Sequence, residues 1–205
     1  MIGSQRHAFW LGIYEPYMQR VIAQVVKKDS VFYDIGANVG FYSLLASTLV
    51  FPGKVYAFEP VTENVRYIQR HLTLNDIRNV QVLEFAISDQ VGTSTFQEEA
   101  TRAMGHLQAE GNTRVQTTTL DSLLQAQLIE PPQYIKMDIE GAELMALHGA
   151  SECIQRHRPI IFLATHGRDM ETECGRLLKS WGYELQNIGD ATDPDRAEFL
   201  AKIPS

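Results

Sequence analysis

Asp34-Ile35-Gly36-Ala37-Asn38-Val39-Gly40-Phe41 is the stretch whose reading decides the fold. It follows the β-branched and aromatic run Val31-Phe32-Tyr33 and opens onto the apolar, Pro-free segment that begins at Phe41. Strand, glycine turn and helix in that order form the opening unit of a parallel α/β sheet. Gly36 suits the tight turn that leaves the strand, and Gly40 suits a close approach of backbone to ligand at the helix start. A nicotinamide or flavin site would carry GxGxxG and seat a pyrophosphate on that helix. Here an acid is followed by GxxxG, and Asn38 stands where the dinucleotide fingerprint needs glycine.

Working outward, Lys54–Glu59 reads as a second strand stopped by Pro60, Asn64–Leu74 as a helix, and Val80–Ile87 as a third strand. Glu59 is placed at a strand end, where a carboxylate can accept ribose hydroxyls of an adenosine. S-adenosylmethionine satisfies both features, because it carries adenosine and a sulfonium cation but no phosphate. The end of the third strand, around Ala86, is where backbone or side chains would meet the adenine ring.

Ser88–Thr119 breaks the alternation, with an expected hairpin turn at Asp89-Gln90-Val91-Gly92 and then a polar stretch of the kind that forms functional loops. Alternation resumes with a short helix after Asp121, whose carboxylate is placed to cap it. Tyr134–Asp138 is then a strand, Ala142–His148 a helix, Pro159–Thr165 an apolar strand, and Glu171–Trp181 a helix ending at Gly182. Tyr183–Ile188 and Glu198–Ile203 read as a closing antiparallel pair. The expected organisation is one domain over residues 1–205, with residues 1–29 a helical lid segment around Phe9–Val26 and residues 30–205 the Rossmann-like core. Trp10, Tyr14 and Tyr17 would either cover the mouth of the sheet or lie on an outer helix.

The 205 residues are 44% hydrophobic and 21% charged, ordinary for a globular protein. A net charge of −7 weighs against nucleic acid as partner, since phosphate binding needs a basic surface. No apolar run is long enough for a membrane span. Cys153 and Cys174 lack metal or CxxC spacing, which points to reduced thiols and a cytoplasmic setting.

The second motif is Tyr134-Ile135-Lys136-Met137-Asp138-Ile139-Glu140-Gly141-Ala142-Glu143. Asp138 stands at the carboxyl end of a strand, where open α/β sheets bind ligands. Glu143, in a first helical turn, is accounted for by the helix dipole. His166 closes the next strand, so Asp138, Glu140 and His166 are candidates for a proton-accepting site. Asp138 and His166 are equally candidates for part of a divalent-metal (Mg²⁺) site. His148 and His157 lie on helical segments and are read as structural, while His106 in the irregular loop could face an acceptor.

Taken in order, WLGIYEP, YDIGANVGFYSLLAS, VYAFEPVTEN, FAISDQVG, TTTLDSLL, YIKMDIEGAEL and LLKSWGYEL resemble the FkbM family of methyltransferases over nearly the whole chain. The resemblance implies the class I methyltransferase fold, a seven-stranded, mostly parallel sheet with helices on both faces. It also implies S-adenosylmethionine as donor and O-methylation of a sugar, polyketide or other small metabolite. Asp34, Gly36, Asn38 and Gly40 would then face the methionine part of the cofactor, Glu59 its ribose, and Asp138 the reaction centre. The chain departs from the family at Ala164-Thr165-His166, where Glu-Thr-His is usual. The alternatives are a methyltransferase-like module that binds cofactor without catalysis, a nicotinamide oxidoreductase, and a nucleic-acid methyltransferase. Release of S-adenosylhomocysteine separates the first of these from an enzyme. The missing GxGxxG weighs against the second, and DIEG in place of an Asn/Asp-Pro-Pro-aromatic turn weighs against the third.

Overall fold

The computed structural model describes residues 15–97, 112–189 and 196–204. Five short runs rich in β-branched and aromatic residues pair in parallel: β1 (Val31–Ile35), β2 (Lys54–Phe58), β3 (Val80–Leu83), β7 (Tyr134–Met137) and β8 (Ile160–His166). Two further strands, β9 (Glu184–Asn187) and β10 (Arg196–Lys202), complete a seven-stranded sheet in the order β3-β2-β1-β7-β8-β10-β9. β10 is antiparallel to both its neighbours. The expected parallel sheet with an antiparallel closing pair is therefore present.

Both faces of this sheet are apolar, as parallel strands require. On one face Phe32, Tyr134 and Phe162 stack, their ring centroids 6.3–6.4 Å apart. They pack under α1 (Pro16–Val25) through Met18 and Ile22, and under α2 (Phe41–Val50) through Tyr42, Ala46 and Val50. On the same face, α3 (Thr62–Leu74) seats Ile68 and Leu72 over Ala57. The opposite face buries Tyr33, Ile35, Ile135, Met137 and Leu163. It is covered by α4 (Leu120–Gln125), α5 (Glu143–His148), α6 (Ser151–His157) and α7 (Arg168–Ser180). Each fully buried side chain of this size contributes about 1.5–3 kcal/mol.

Three local expectations need correction. The third strand does not run unbroken to Ile87: β3 stops at Leu83, and Ala86–Ile87 form β4 in a separate sheet with β5 (Gly92–Gln97) and β6 (Asn112–Thr118). Asp89–Gly92 is not a hairpin turn, because β4 and β5 lie on either side of β6 instead of pairing with each other. Asp121 does not cap its own helix. Thr119 does, accepting from the Ser122 N–H at 3.0 Å, while the Asp121 carboxylate accepts from Glu152 N and Cys153 N at the start of α6. A carboxylate in one first turn thereby serves the orphan N–H groups of another.

Of the expected N-terminal helix, Pro16–Val25 is helical, and Trp10 and Tyr14 lie outside the described residues. Among the described residues no helix is long and apolar enough to cross a membrane.

Candidate active site

β1 stands between β2 and β7, so the chain order reverses beside it, and ligand crevices in open α/β sheets form at such a point. Side-chain alternation then stacks the face under α1 and α2 in layers. Above the Phe32, Tyr134 and Phe162 layer come Asp34 and Lys136, which are register partners across β1 and β7. One layer higher come Asp138 and His166, and the antiparallel register places Arg196 of β10 opposite His166.

The Gly36 turn is held against the acid-bearing turn at Asp138. A Cβ on Gly36 (φ +80°) would lie 2.0 Å from the Asp138 carbonyl oxygen, so the glycine is needed for two chain segments to cross. Gly40 also has positive φ, but its nearest neighbours are the side chains of Ile68 and Leu44 at 3.2–3.3 Å. Its smallness serves the packing of α2 on α3. Asn38 takes φ +49°, a left-handed conformation that Asn tolerates, and its N–H donates to Glu59 Oε2 at 2.8 Å. Glu59 Oε1 accepts from Val61 N at 3.0 Å and Asn64 Nδ2 at 3.1 Å. The carboxylate is thus oriented by three donors, with acceptor capacity left on Oε2. Burial pushes the Glu59 carboxyl above its ordinary range, against the lowering effect of these donors. Ala86 is half-buried in β4, displaced from the β3 tip onto the smaller sheet.

Asp34 is wholly buried. Its Oδ2 accepts from Ser43 Oγ at 2.6 Å, while its Oδ1 has no hydrogen-bond partner among the described residues. Burial raises its pKa, opposed by Lys136. Lys136 Nζ lies 3.7 Å from Asp138 Oδ2, and Arg196 Nη2 donates to the same oxygen at 2.9 Å. Burial alone would raise the Asp138 carboxyl, but Lys136, Arg196 and His166 together outweigh it and hold it below the usual carboxylate range.

His166 faces two carboxylates. Nε2 lies 3.8 Å from Asp138 Oδ1, and Nδ1 lies 3.5 Å from Glu143 Oε1. The Glu143 contact, helped by Asp138, raises the imidazole pKa in spite of partial burial and Arg196.

The structure brings Asp138 and His166 together but leaves Glu140 exposed, at φ +52° in the turn between β7 and α5. Glu143 is the acid that turns inward. It is fully buried, and its carboxylate accepts from Ile139 N at 3.2 Å and Gly141 N at 3.0 Å. Three further partners had no local signal in the sequence. Arg196 also pairs with Glu15 and lies 3.5 Å from Glu198, and Glu15 Oε2 accepts from Tyr42 Oη at 2.6 Å. Glu198 is the cross-strand partner of Ala164, so a buried carboxylate stands on the strand next to it. His148 is exposed on α5, and His106 lies outside the described residues.

Asp138, Glu143 and His166 each offer a ligand atom, all within 4.8 Å of one another. A divalent ion there does not fit the surroundings well. Two cations already lie on Asp138 Oδ2, and the Glu143 oxygens are committed to backbone N–H groups. Glu15, Asp34, Asp138, Glu143 and Glu198 stand with Lys136, Arg196 and His166 in one connected network of carboxylates and cations, in which burial pushes the Asp34 and Glu198 carboxyls up.

The chain is 28% identical to the hexuronic acid methyltransferase AglP of Haloferax volcanii, over 66% of this chain and 56% of that protein. It is also 28% identical to the methyltransferase sdnD of Sordaria araneosa, over 82% and 78% of the two chains. The crystal structure of methyltransferase FkbM from Methylobacillus flagellatus KT shares the fold, with TM-score 0.58 and 21% identity, over 83% of this chain and 43% of that one. The chain therefore spans only about half the length of the Haloferax and Methylobacillus proteins. Residues 34–185, which carry Asp34, Glu59, Asp138, Glu143 and His166, match the methyltransferase FkbM domain, and the chain belongs to that family of methyltransferases.

Proposed function

We propose that this protein transfers the methyl group of S-adenosylmethionine to a hydroxyl of a small-molecule or carbohydrate-type acceptor. The observation that carries the proposal is the close approach of Gly36 to the Asp138 carbonyl, which leaves the Gly36 turn beside an imidazole–carboxylate pair at one edge of the sheet. Methyl transfer to an alcohol needs these two parts side by side: a seat for the donor and a group that takes the hydroxyl proton.

S-adenosylmethionine, when bound, supplies a methyl group already activated for in-line displacement. The protein's own part is alignment, exclusion of water and handling of one proton. Glu59, fixed by Asn38, Val61 and Asn64, would accept a ribose hydroxyl on Oε2. Asp34 and its neighbouring acids would face the methionine part and the positive sulfur. Asp138 is a weak base because two cations hold it ionised, so we assign proton acceptance to His166. With the proton on Nδ1, 3.5 Å from Glu143 Oε1, Nε2 would keep its lone pair for the acceptor hydroxyl. As the bound donor gave up its methyl group to the acceptor oxygen and became S-adenosylhomocysteine, His166 Nε2 would take the hydroxyl proton and Asp138 Oδ1 would stabilise the imidazolium.

The similarity to a hexuronic acid methyltransferase supports a sugar-type acceptor, and the net charge of −7 favours a small molecule over nucleic acid. The decisive experiment compares His166→Ala with wild type. S-adenosylhomocysteine affinity stays within about twofold while single-turnover methyl transfer falls by at least the ~100-fold typical of a lost general base. Full turnover in an Asp138→Ala/His166→Ala double variant that still binds cofactor would remove the assignment.

A further inference from the structure

Lys136 has no part in the proton path above, yet it is a lysine only 4% exposed in the central strand of the sheet. An ammonium is costly to bury unless partners compensate it. Its position supplies them from both halves of the site. Lys136 is the register partner of Asp34 across β1 and β7 and precedes Asp138 by two residues, so all three side chains rise from the same face. Nζ lies 4.0 Å from Asp34 Oδ1 and 3.7 Å from Asp138 Oδ2, and 4.8 Å from the centroid of the Tyr42 ring of α2. Asp34 Oδ1 has no hydrogen-bond partner among the described residues, so this ammonium, together with the Ser43 hydroxyl on Oδ2, offsets the burial of the carboxylate.

We infer that Lys136 is a positioning residue that fixes the donor-side strand tip to the acceptor-side one, by sharing one buried ammonium between Asp34 and Asp138. Without it two buried carboxylates would face each other across adjacent strands. One would take up a proton or the tips would part, and a displacement of about 1 Å between reacting groups is enough to cost ~100-fold in rate. The names of the two sides rest on the proposed methyl transfer, whereas the coupling itself does not.

The test uses the full chain, with S-adenosylhomocysteine as probe and ¹³C NMR titration of the aspartate carboxyls. Lys136→Met is expected to raise the Asp138 titration and to weaken S-adenosylhomocysteine binding about tenfold, and Lys136→Arg is expected to restore both. Unmoved Asp138 titration with binding within twofold, in a folded Met variant, would overturn the inference. If Lys136→Met does not fold, Lys136→Met/Asp34→Asn removes the uncompensated charge. An Asp138 titration there that matches wild type would likewise overturn it, and a raised one supports it. Neither readout involves a methyl acceptor. A failure of hydroxyl methylation would appear as absent turnover with this coupling intact, and the two failures are distinguishable.

Discussion

Gly36→Ala tests whether the two turns of the site depend on their crossing. The new Cβ would lie 2.0 Å from the Asp138 carbonyl oxygen and 2.8 Å from Ile139 Cγ2, about 1.4 Å short of ordinary contact with the carbonyl. Gly182 is a matched control. Its φ of +86° is close to the +80° of Gly36, but a Cβ there meets nothing within 4 Å. Both substitutions carry the left-handed penalty of about 1–2 kcal/mol. Only Gly36→Ala adds overpacking, typically about 1–3 kcal/mol. Urea denaturation should therefore show Gly182→Ala losing about 1–2 kcal/mol and Gly36→Ala about 2–5 kcal/mol. The Gly36 variant should also lose S-adenosylhomocysteine affinity at urea concentrations where it is still folded, whereas the Gly182 variant should not. Equal destabilisation of the two, or undiminished binding by Gly36→Ala, would refute the crossing as the feature that builds the site.

Two further predictions concern pH. Because Glu143 and Asp138 raise the His166 pKa and the base acts in its neutral form, turnover should rise with pH through a value above the ordinary ~6.5, and Glu143→Gln should move that inflection down. The same pairing stabilises the fold below about pH 6.5 and is lost as pH rises past the folded value, which thermal melts across that range will register. Glu198 has its carboxyl pushed up to about 7 by burial and by Glu15, against the pull of Arg196. The folded state then holds a proton that the unfolded chain releases near pH ~4.3, so stability falls as pH climbs from there to about 7. Glu198→Gln should flatten that fall and add about 1–3 kcal/mol at pH 8, unless the lost Arg196 contact outweighs the relief, in which case the variant is less stable at pH 8 and the account of Glu198 is wrong.

The strand–turn–helix unit at Val31–Val50 was legible because its signals are local: β-branched residues, a glycine at a positive-φ turn and an uninterrupted apolar helix. The second motif was legible in the same way as far as Asp138. Part of what escaped was set by distance in the chain. Arg196 reaches Asp138 from 58 positions away, and only the β8–β10 register puts it beside His166. Glu143 looked like a first-turn acid complementing a helix dipole, but the left-handed turn at Glu140-Gly141 folds its carboxylate back onto the turn's own N–H groups. The break of the third strand after Leu83 was equally hidden, since Glu84-Phe85-Ala86-Ile87 continues the strand-like composition while changing its partner sheet.

The most direct measurement follows the methyl group itself. With ¹³C-methyl S-adenosylmethionine and hydroxyl acceptors that include hexuronic acid glycosides, the account predicts label at an oxygen-bound methyl, one S-adenosylhomocysteine released per transfer, and loss of both in His166→Ala. Label on nitrogen or carbon, or cofactor binding with no transfer to any hydroxyl acceptor, would contradict it.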